Sequence, residues 1–221
     1  MAASSPLLLL VGAGPGMGRS LARRWGREGY RLALLGHDTA LLDGVVSECR
    51  SEGFEAHGFT AHTGNPEVMR EALTEVKGGL GAPETLIFNA SVAHEAPVSA
   101  LQAAMFEADL RANAEGFLLA IQAVLPAMKA AGRGSILLTG GGSALKPSAT
   151  GASLGVGKAA QRSLLLALAQ ELEGTGLRAA TLTICGFIQP GSAFDPEALA
   201  QQMWELHTQD LAHREIERIV G

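Results

Sequence analysis

The sequence has a single tyrosine, Tyr30, and only two cysteines, Cys49 and Cys185. Two cysteines supply neither a disulfide framework nor a thiolate metal cluster, so a stapled secreted scaffold and a structural metal domain are not expected. There is no positive excess either. Seventeen Lys and Arg stand against 22 Asp and Glu, a formal net charge of −5. That balance provides no basic footprint for nucleic acid and no polybasic segment for a membrane surface. No apolar run reaches the roughly 20 residues of a membrane span. The stretch Leu7–Val11 is also too short for a signal-peptide core before glycines interrupt it. The expectation is a cytoplasmic protein without metal, membrane or nucleic-acid partners.

What is present is enough apolar residue for a substantial core. The chain has 221 residues, 47% hydrophobic and 18% charged, with 28 glycines, which fits one domain over 1–221. Short apolar runs at 7–11, 31–35, 55–59, 85–88, 135–139, 178–184 and 215–220 read as strands. Most are continuous rather than alternating, as strands covered on both faces must be. Helical patterns fall between them at 17–28, 39–52, 66–76, 100–131, 152–173 and 196–207. Pro66 and Pro196 suit first helical turns, and Gly53 and Gly132 suit helix ends. The alternation predicts an α/β fold: one Rossmann-type, doubly wound parallel sheet of about seven strands with helices on both faces. The helix at 152–173 is apolar nearly all round, with Leu164-Leu165-Leu166-Ala167-Leu168 at its centre. Such a helix is covered on more than one side, by its neighbours or by another subunit. A homodimer or homotetramer through this helix is expected.

The most informative stretch is Val11-Gly12-Ala13-Gly14-Pro15-Gly16-Met17-Gly18, between the first strand and the first helix. Glycines let the backbone turn tightly and approach a ligand, and a helix N-terminus offers unpaired N–H groups to an anion. The spacing is G-x-x-x-G-x-G on Gly12, Gly16 and Gly18. A phosphate seat is one reading and a plain strand-to-helix turn the other. Position after a first strand favours a dinucleotide site built from Gly12, Gly14, Gly16, Met17 and Gly18.

Further along, Phe88-Asn89-Ala90-Ser91 closes the fourth strand, Asn113 lies in Asp109-Leu110-Arg111-Ala112-Asn113, and Lys158 lies in Gly157-Lys158-Ala159-Ala160. With the glycine turn and Ile184-Cys185-Gly186-Phe187-Ile188, these features in this order resemble the short-chain dehydrogenases/reductases over nearly the whole chain. The glycine turn is similar to that family's T-G-x-x-x-G-x-G, with Val11 for the threonine. Asn89 and Ala90 match its N-N-A-G. Asn113 matches an asparagine supporting a water-linked proton relay, and Lys158 matches the lysine of Y-x-x-x-K. Gly186 and Ile188 fall where the family has its P-G turn beside the nicotinamide. The resemblance implies an NAD(P)-dependent oxidoreductase acting on a small-molecule carbonyl or alcohol.

Two catalytic positions depart from the pattern. Leu154 stands where the family has the tyrosine that exchanges a proton with substrate, and Gly141 stands where it has the serine. Tyr30, at the start of the second strand, cannot reach the site. A positioned acid–base group is worth about 10²- to 10⁴-fold in rate. Candidate replacements near strand ends are His94, Ser143, Ser153 and Thr139, each equally readable as loop or helix-start chemistry. Lys158 retains the ribose-binding role the resemblance implies, or is a surface lysine. Asn113 is a relay remnant or a helix-kink residue.

For the cofactor, Gly36 occupies the place of the acidic residue common in NAD-dependent members, and His37 is available to donate to a 2′-phosphate. Asp38 could instead hold an NAD ribose. Pro15 stands where NADP sites often add a basic residue, and Ala61-His62 replace the usual adenine-side aspartate. NADP is expected over NAD. The substrate-side segment, 187–212, is short. Pro190 replaces a family threonine, and Phe187, Phe194, Met203 and Trp204 line a pocket or pack the last helix. Cys185 is a reactive thiol or a small apolar residue. Three functions are compatible with these residues: an oxidoreductase with a relocated acid, a cofactor-binding sensor or scaffold, and a structural homo-oligomer.

Overall fold

Leu7–Val11 forms β1, and all five of its apolar side chains are buried. A strand between two helix layers has no solvent face toward which to alternate. Period-two geometry still divides the strand: Leu7, Leu9 and Val11 enter one core, Leu8 and Leu10 the other. The computed structural model describes residues 5–221. After β1 come α1 (Met17–Gly26), β2 (Arg31–Gly36), α2 (Thr39–Ser51), β3 (Ala56–Thr60), α3 (Pro66–Leu80) and β4 (Thr85–Phe88). The second half has α4 (Ala103–Leu110), a π turn (Arg111–Glu115), α5 (Gly116–Ala131), β5 (Gly134–Gly141), α6 (Ala152–Glu171), β6 (Leu177–Ile184), α7 (Pro196–Thr208) and β7 (Glu217–Val220).

The seven strands lie in the order β3-β2-β1-β4-β5-β6-β7, every pair parallel. The chain winds outward from β1 in one direction, then restarts at β4 in the other. Their carboxyl ends therefore open a crevice, the usual ligand position of such sheets. Pro66 and Pro196 occupy first turns, with Asn65 and Asp195 accepting helix-start amides. Gly132 ends α5 in the left-handed region at φ 65°.

The helix expected at 100–131 differs from the prediction in three ways. It begins at Ala103, a π turn at Arg111–Glu115 breaks its register, and its 29 residues are long and apolar enough to cross a membrane. Charged residues from Glu107 to Lys129 interrupt it, so it is not one continuous apolar run. The physical setting is a core layer: Phe117, Ala120, Ile121, Val124 and Met128 pack into the core beneath the sheet. The helix at 152–173 is also less enclosed than its composition predicted. Leu165, Leu168 and Ala169 are buried, while Ala159, Ser163 and Ala167 stay exposed on the outer face of α6.

Candidate functional site

The crevice holds a cavity of about 420 Å³. Its walls come from the glycine turn (Gly12, Ala13, Gly14), the end of β2 (Gly36, His37, Asp38), the end of β3 (His62, Thr63) and the end of β4 (Asn89, Ala90, Val92). Gly12 has φ +95°, and a Cβ there would lie 2.5 Å from the Ala90 backbone nitrogen. Only glycine allows the turn to pass this close to β4. Asn89 Nδ2 donates to the Gly12 carbonyl at 2.8 Å, tying the two loops together.

A dinucleotide fits this cradle. A Cβ at Gly14 or Gly16 would meet nothing within 4 Å, so the turn faces open space. Gly16 is the N-cap of α1 and supplies no side-chain bond; Arg19 N donates to the Gly14 carbonyl at 2.8 Å, which leaves the Met17 and Gly18 amides for an anion. Met17 has its side chain in the core, so only its backbone faces the turn. At the opposite end, the His37 and His62 rings stand 6.2 Å apart. Asp38 is the sole carboxylate lining the cavity, and it caps α2 by accepting from Leu41 N at 3.0 Å. His62 was visible in the sequence only as a missing aspartate.

Lys158 is buried on α6, where its Nζ donates to the Thr139 carbonyl at 2.9 Å. Burial, with no carboxylate nearby, lowers its pKa to about 8. The Thr139 hydroxyl beside it is buried without a partner. At Gly141 a Cβ would make ordinary contacts, 3.5 Å from both Lys158 Cγ and Ser143 Oγ. Ser143 therefore flanks the vacant serine position. Leu154 lies one helical turn before Lys158 and is partly buried.

Asn113 sits in the π turn, a distortion that frees backbone groups and recurs at functional sites. Its side chain is wholly engaged: Val92 N donates to Oδ1 at 3.0 Å and Nδ2 donates to Val92 O at 2.7 Å. Its main-chain oxygen accepts from Gln161 Nε2 at 3.1 Å. The Asn113 side chain thus ties the loop after β4 to the π turn. A side chain at Gly157 would strike the Asn113 amide, with a Cβ 2.6 Å from Nδ2, so that glycine lets α6 close on the turn.

Asp109 was not identified from the sequence. It is fully buried on α4 and binds both His94 and Ser153. It is the only buried residue of α4, so no apolar periodicity on that helix pointed to it.

Gly186 and Ile188 follow β6, beyond the cavity. The Phe194 ring lies directly over Gly186, leaving no room for a side chain, and Phe187 is 93% exposed. Met203 is fully buried and Trp204 packs edge-on to Trp25 at 5.1 Å. These two belong to the core of α7 rather than to a pocket. Tyr30 donates to or accepts from His207 Nε2 at 2.9 Å, in the same aromatic cluster and away from the crevice.

Comparison with known proteins agrees with this architecture. The family model for short chain dehydrogenase matches residues 7–194. The chain is 26% identical over 186 residues to a 2,3-dihydro-2,3-dihydroxybenzoate dehydrogenase of Bacillus subtilis, covering 84% of this chain and 69% of that one. It is 28% identical over 204 residues to a 2-(S)-hydroxypropyl-CoM dehydrogenase of Xanthobacter autotrophicus, covering 89% and 80%. Among solved structures, a metagenomic short-chain oxidoreductase in complex with NADP superposes with a TM-score of 0.88 at 26% identity, over 97% of this chain and 96% of that one. The chain belongs to the short-chain dehydrogenase/reductase family of NAD(P)-dependent oxidoreductases.

Proposed function

We propose that this chain binds NADP in preference to NAD and uses it to reduce a small apolar carbonyl, or to oxidise the corresponding alcohol. The observation that carries the proposal is the makeup of the crevice. Open glycines and uncapped amides of α1 would seat the pyrophosphate. Lys158 and Asn89 would hold the nicotinamide half, with Gly186 and Ile188 beyond them. His37 and His62 face the adenosine end, and the lone carboxylate there is committed to capping α2. A 2′-phosphate meets donors at that end, whereas an NAD ribose would lack the acidic partner it usually takes. When bound, the cofactor supplies the hydride. The chain's own residues orient it, and Val98, Leu145 and Phe187, on the segments that follow β4, β5 and β6, are exposed and favour an uncharged substrate.

Equilibrium titration with NADPH and NADH tests the cofactor assignment, and tighter NADH binding would reverse it. A carbonyl and alcohol panel followed at the cofactor absorbance tests turnover. A second reading has its own observation: with Leu154 and Gly141 in place of tyrosine and serine, the chain would be a catalytically silent NADP-binding sensor or scaffold. Binding without turnover by any panel member selects it.

A homodimer or homotetramer through α6 is part of the proposal. Its support is the small-residue outer face of Ala159, Ser163 and Ala167, flanked by exposed Val156 and, on α5, Leu118. Light scattering at micromolar concentration checks it, and a strict monomer overturns it. A cytoplasmic location suits the two free thiols, Cys49 and Cys185.

A further inference from the structure

A buried carboxylate is costly unless its acceptors are used, so the position of Asp109 calls for an explanation. It lies on the face of α4 that packs against α6 and is 0% exposed. Three hydrogen bonds hold it. Ser153 Oγ donates to Oδ2 at 2.5 Å, His94 N donates to Oδ2 at 2.8 Å, and His94 Nδ1 lies 2.8 Å from Oδ1. Burial alone raises a carboxyl pKa, but here the bonds from Ser153 and His94 outweigh it and hold Asp109 below its ordinary range. An ionised carboxylate only accepts, so His94 Nδ1 carries a hydrogen and Nε2 is the nitrogen left for exchange. No described residue bonds Nε2, and the side chain is 45% exposed.

The loop carrying His94 is fixed at both ends. Val92, which lines the cavity, is clamped by the Asn113 amide. Ala96 donates to the Thr150 carbonyl at 2.9 Å and bridges to Gly151, the N-cap of α6. His94 stands between these anchors, and Ser153, bonded to the same carboxylate, directly precedes Leu154. His94 thus lies two residues beyond the cavity-lining Val92, on a loop tied to the start of α6 beside Leu154, the position lacking a tyrosine.

We propose that His94 is the catalytic acid–base group of this chain and that Asp109, with Ser153, is its positioning residue. The proposal rests on the dinucleotide reading given above. In the reducing direction the carbonyl carbon gains hydride from the cofactor. The electron pair of the broken C=O π bond takes the Nε2 proton of the His94 imidazolium, giving an alcohol and the neutral Nδ1–H imidazole, which then takes a proton from solvent. Oxidation runs the same transfers backwards. Asp109 fixes the tautomer and balances the charge of the imidazolium, as an acceptor at Nδ1 does for a catalytic histidine.

The test uses the full chain and two readouts. Nitrogen-15 spectra of histidine-labelled protein should show the Nδ1–H tautomer at His94, lost in Asp109→Asn. The His94 Nε2 resonance should move on saturation with NADP; an unmoved resonance in a calorimetrically saturated complex overturns the placement. In turnover, NADPH oxidation is followed with 9,10-phenanthrenequinone and 4-nitrobenzaldehyde. His94→Gln should lower kcat by about 10²- to 10³-fold with the NADPH dissociation constant unchanged. Asp109→Asn should lower kcat about 10-fold without raising KM. Free imidazole should restore part of the rate to His94→Ala. His94→Asn, whose amide can keep the bond to Asp109, serves as a folded control and should be as slow as His94→Gln. Equal kcat in wild type and the folded variants overturns the proposal, as does NADPH binding without any turnover by the wild type. Failure to bind either NADPH or NADH overturns the dinucleotide reading instead.

Discussion

The two halves of the crevice have been treated differently. On the β1 side stand the glycine turn, a helix start without a side-chain cap and the asparagine that ties β4 to the turn. On the α6 side, the lysine stays but the tyrosine and serine positions are empty of hydroxyls. In their neighbourhood a buried carboxylate joins a loop histidine and a helix-start serine. The difference teaches that cofactor geometry and proton chemistry are separable. The first depends on backbone approach, which tolerates almost no substitution; the second depends on a donor within reach, which more than one side chain can supply.

The largest effect expected comes from breaking the close backbone approach on the β1 side. Gly12→Ala forces a Cβ against the β4 backbone at φ +95°. It should cost about 3 kcal/mol in urea unfolding and abolish NADPH binding. Retained binding would mean that the turn is not the cofactor seat.

Next is acid sensitivity, which should arise outside both halves of the crevice. His207 is enclosed by Tyr30 and Ser135, and burial, aided by the Arg178 charge, lowers its pKa to about 4. The unfolded chain binds this proton below about 6.5 while the folded one resists it. Stability should therefore fall as pH drops from 6.5 to 4, by up to about 3 kcal/mol. His207→Gln should flatten that slope in denaturation curves while leaving NADPH affinity alone.

The α6 side can be sharpened by restoring what it lacks. Leu154→Tyr combined with Gly141→Ser should raise NADPH-dependent reduction of 4-nitrobenzaldehyde by about 10²-fold over wild type. The serine fits, because a Cβ at 141 makes only ordinary contacts of 3.5 Å or more. No gain with NADPH still bound would show that the lysine and nicotinamide positions are not aligned for the chemistry.

The smallest effect should have opposite signs in stability and binding. Lys158 pays for burial with a pKa lowered from 10.5 to about 8. The unfolded chain binds that proton more readily between those values, so stability should rise from pH 8 to 10.5. Lys158→Met should stabilise the protein by about 2 kcal/mol at pH 7, after allowing about 1 kcal/mol for the Thr139 carbonyl left unpaired. The same variant should bind NADPH at least about 10-fold more weakly. Urea unfolding and fluorescence titration on one preparation read both.

Much of this molecule was legible in order along the chain. Continuous apolar strands, proline-started helices and the glycine turn are local patterns, and local patterns survive without knowledge of what lies opposite. Strand 135–139 was read short because Gly134, Gly140 and Gly141 carry no apolar signal, yet pairing with β6 extends β5 over them. The interruption at Arg111–Glu115 is marked in the sequence only by the helix-kink alternative for Asn113. It is held by Asn113 bonding Val92 and by Gln161 taking a freed carbonyl, partners 21 and 48 residues away.

The sequence by itself determined the strands, the glycine turn and the absence of hydroxyls at 141 and 154, because each is a property of residues adjacent in the chain. It could list His94 and Ser153 only as separate candidates. Tertiary structure decided that both meet Asp109, a carboxylate that only the packing of α4 on α6 puts within hydrogen-bond distance of either. A hydrogen bond needs its atoms within about 3 Å, and across 15 and 44 residues of chain only the completed fold can provide that.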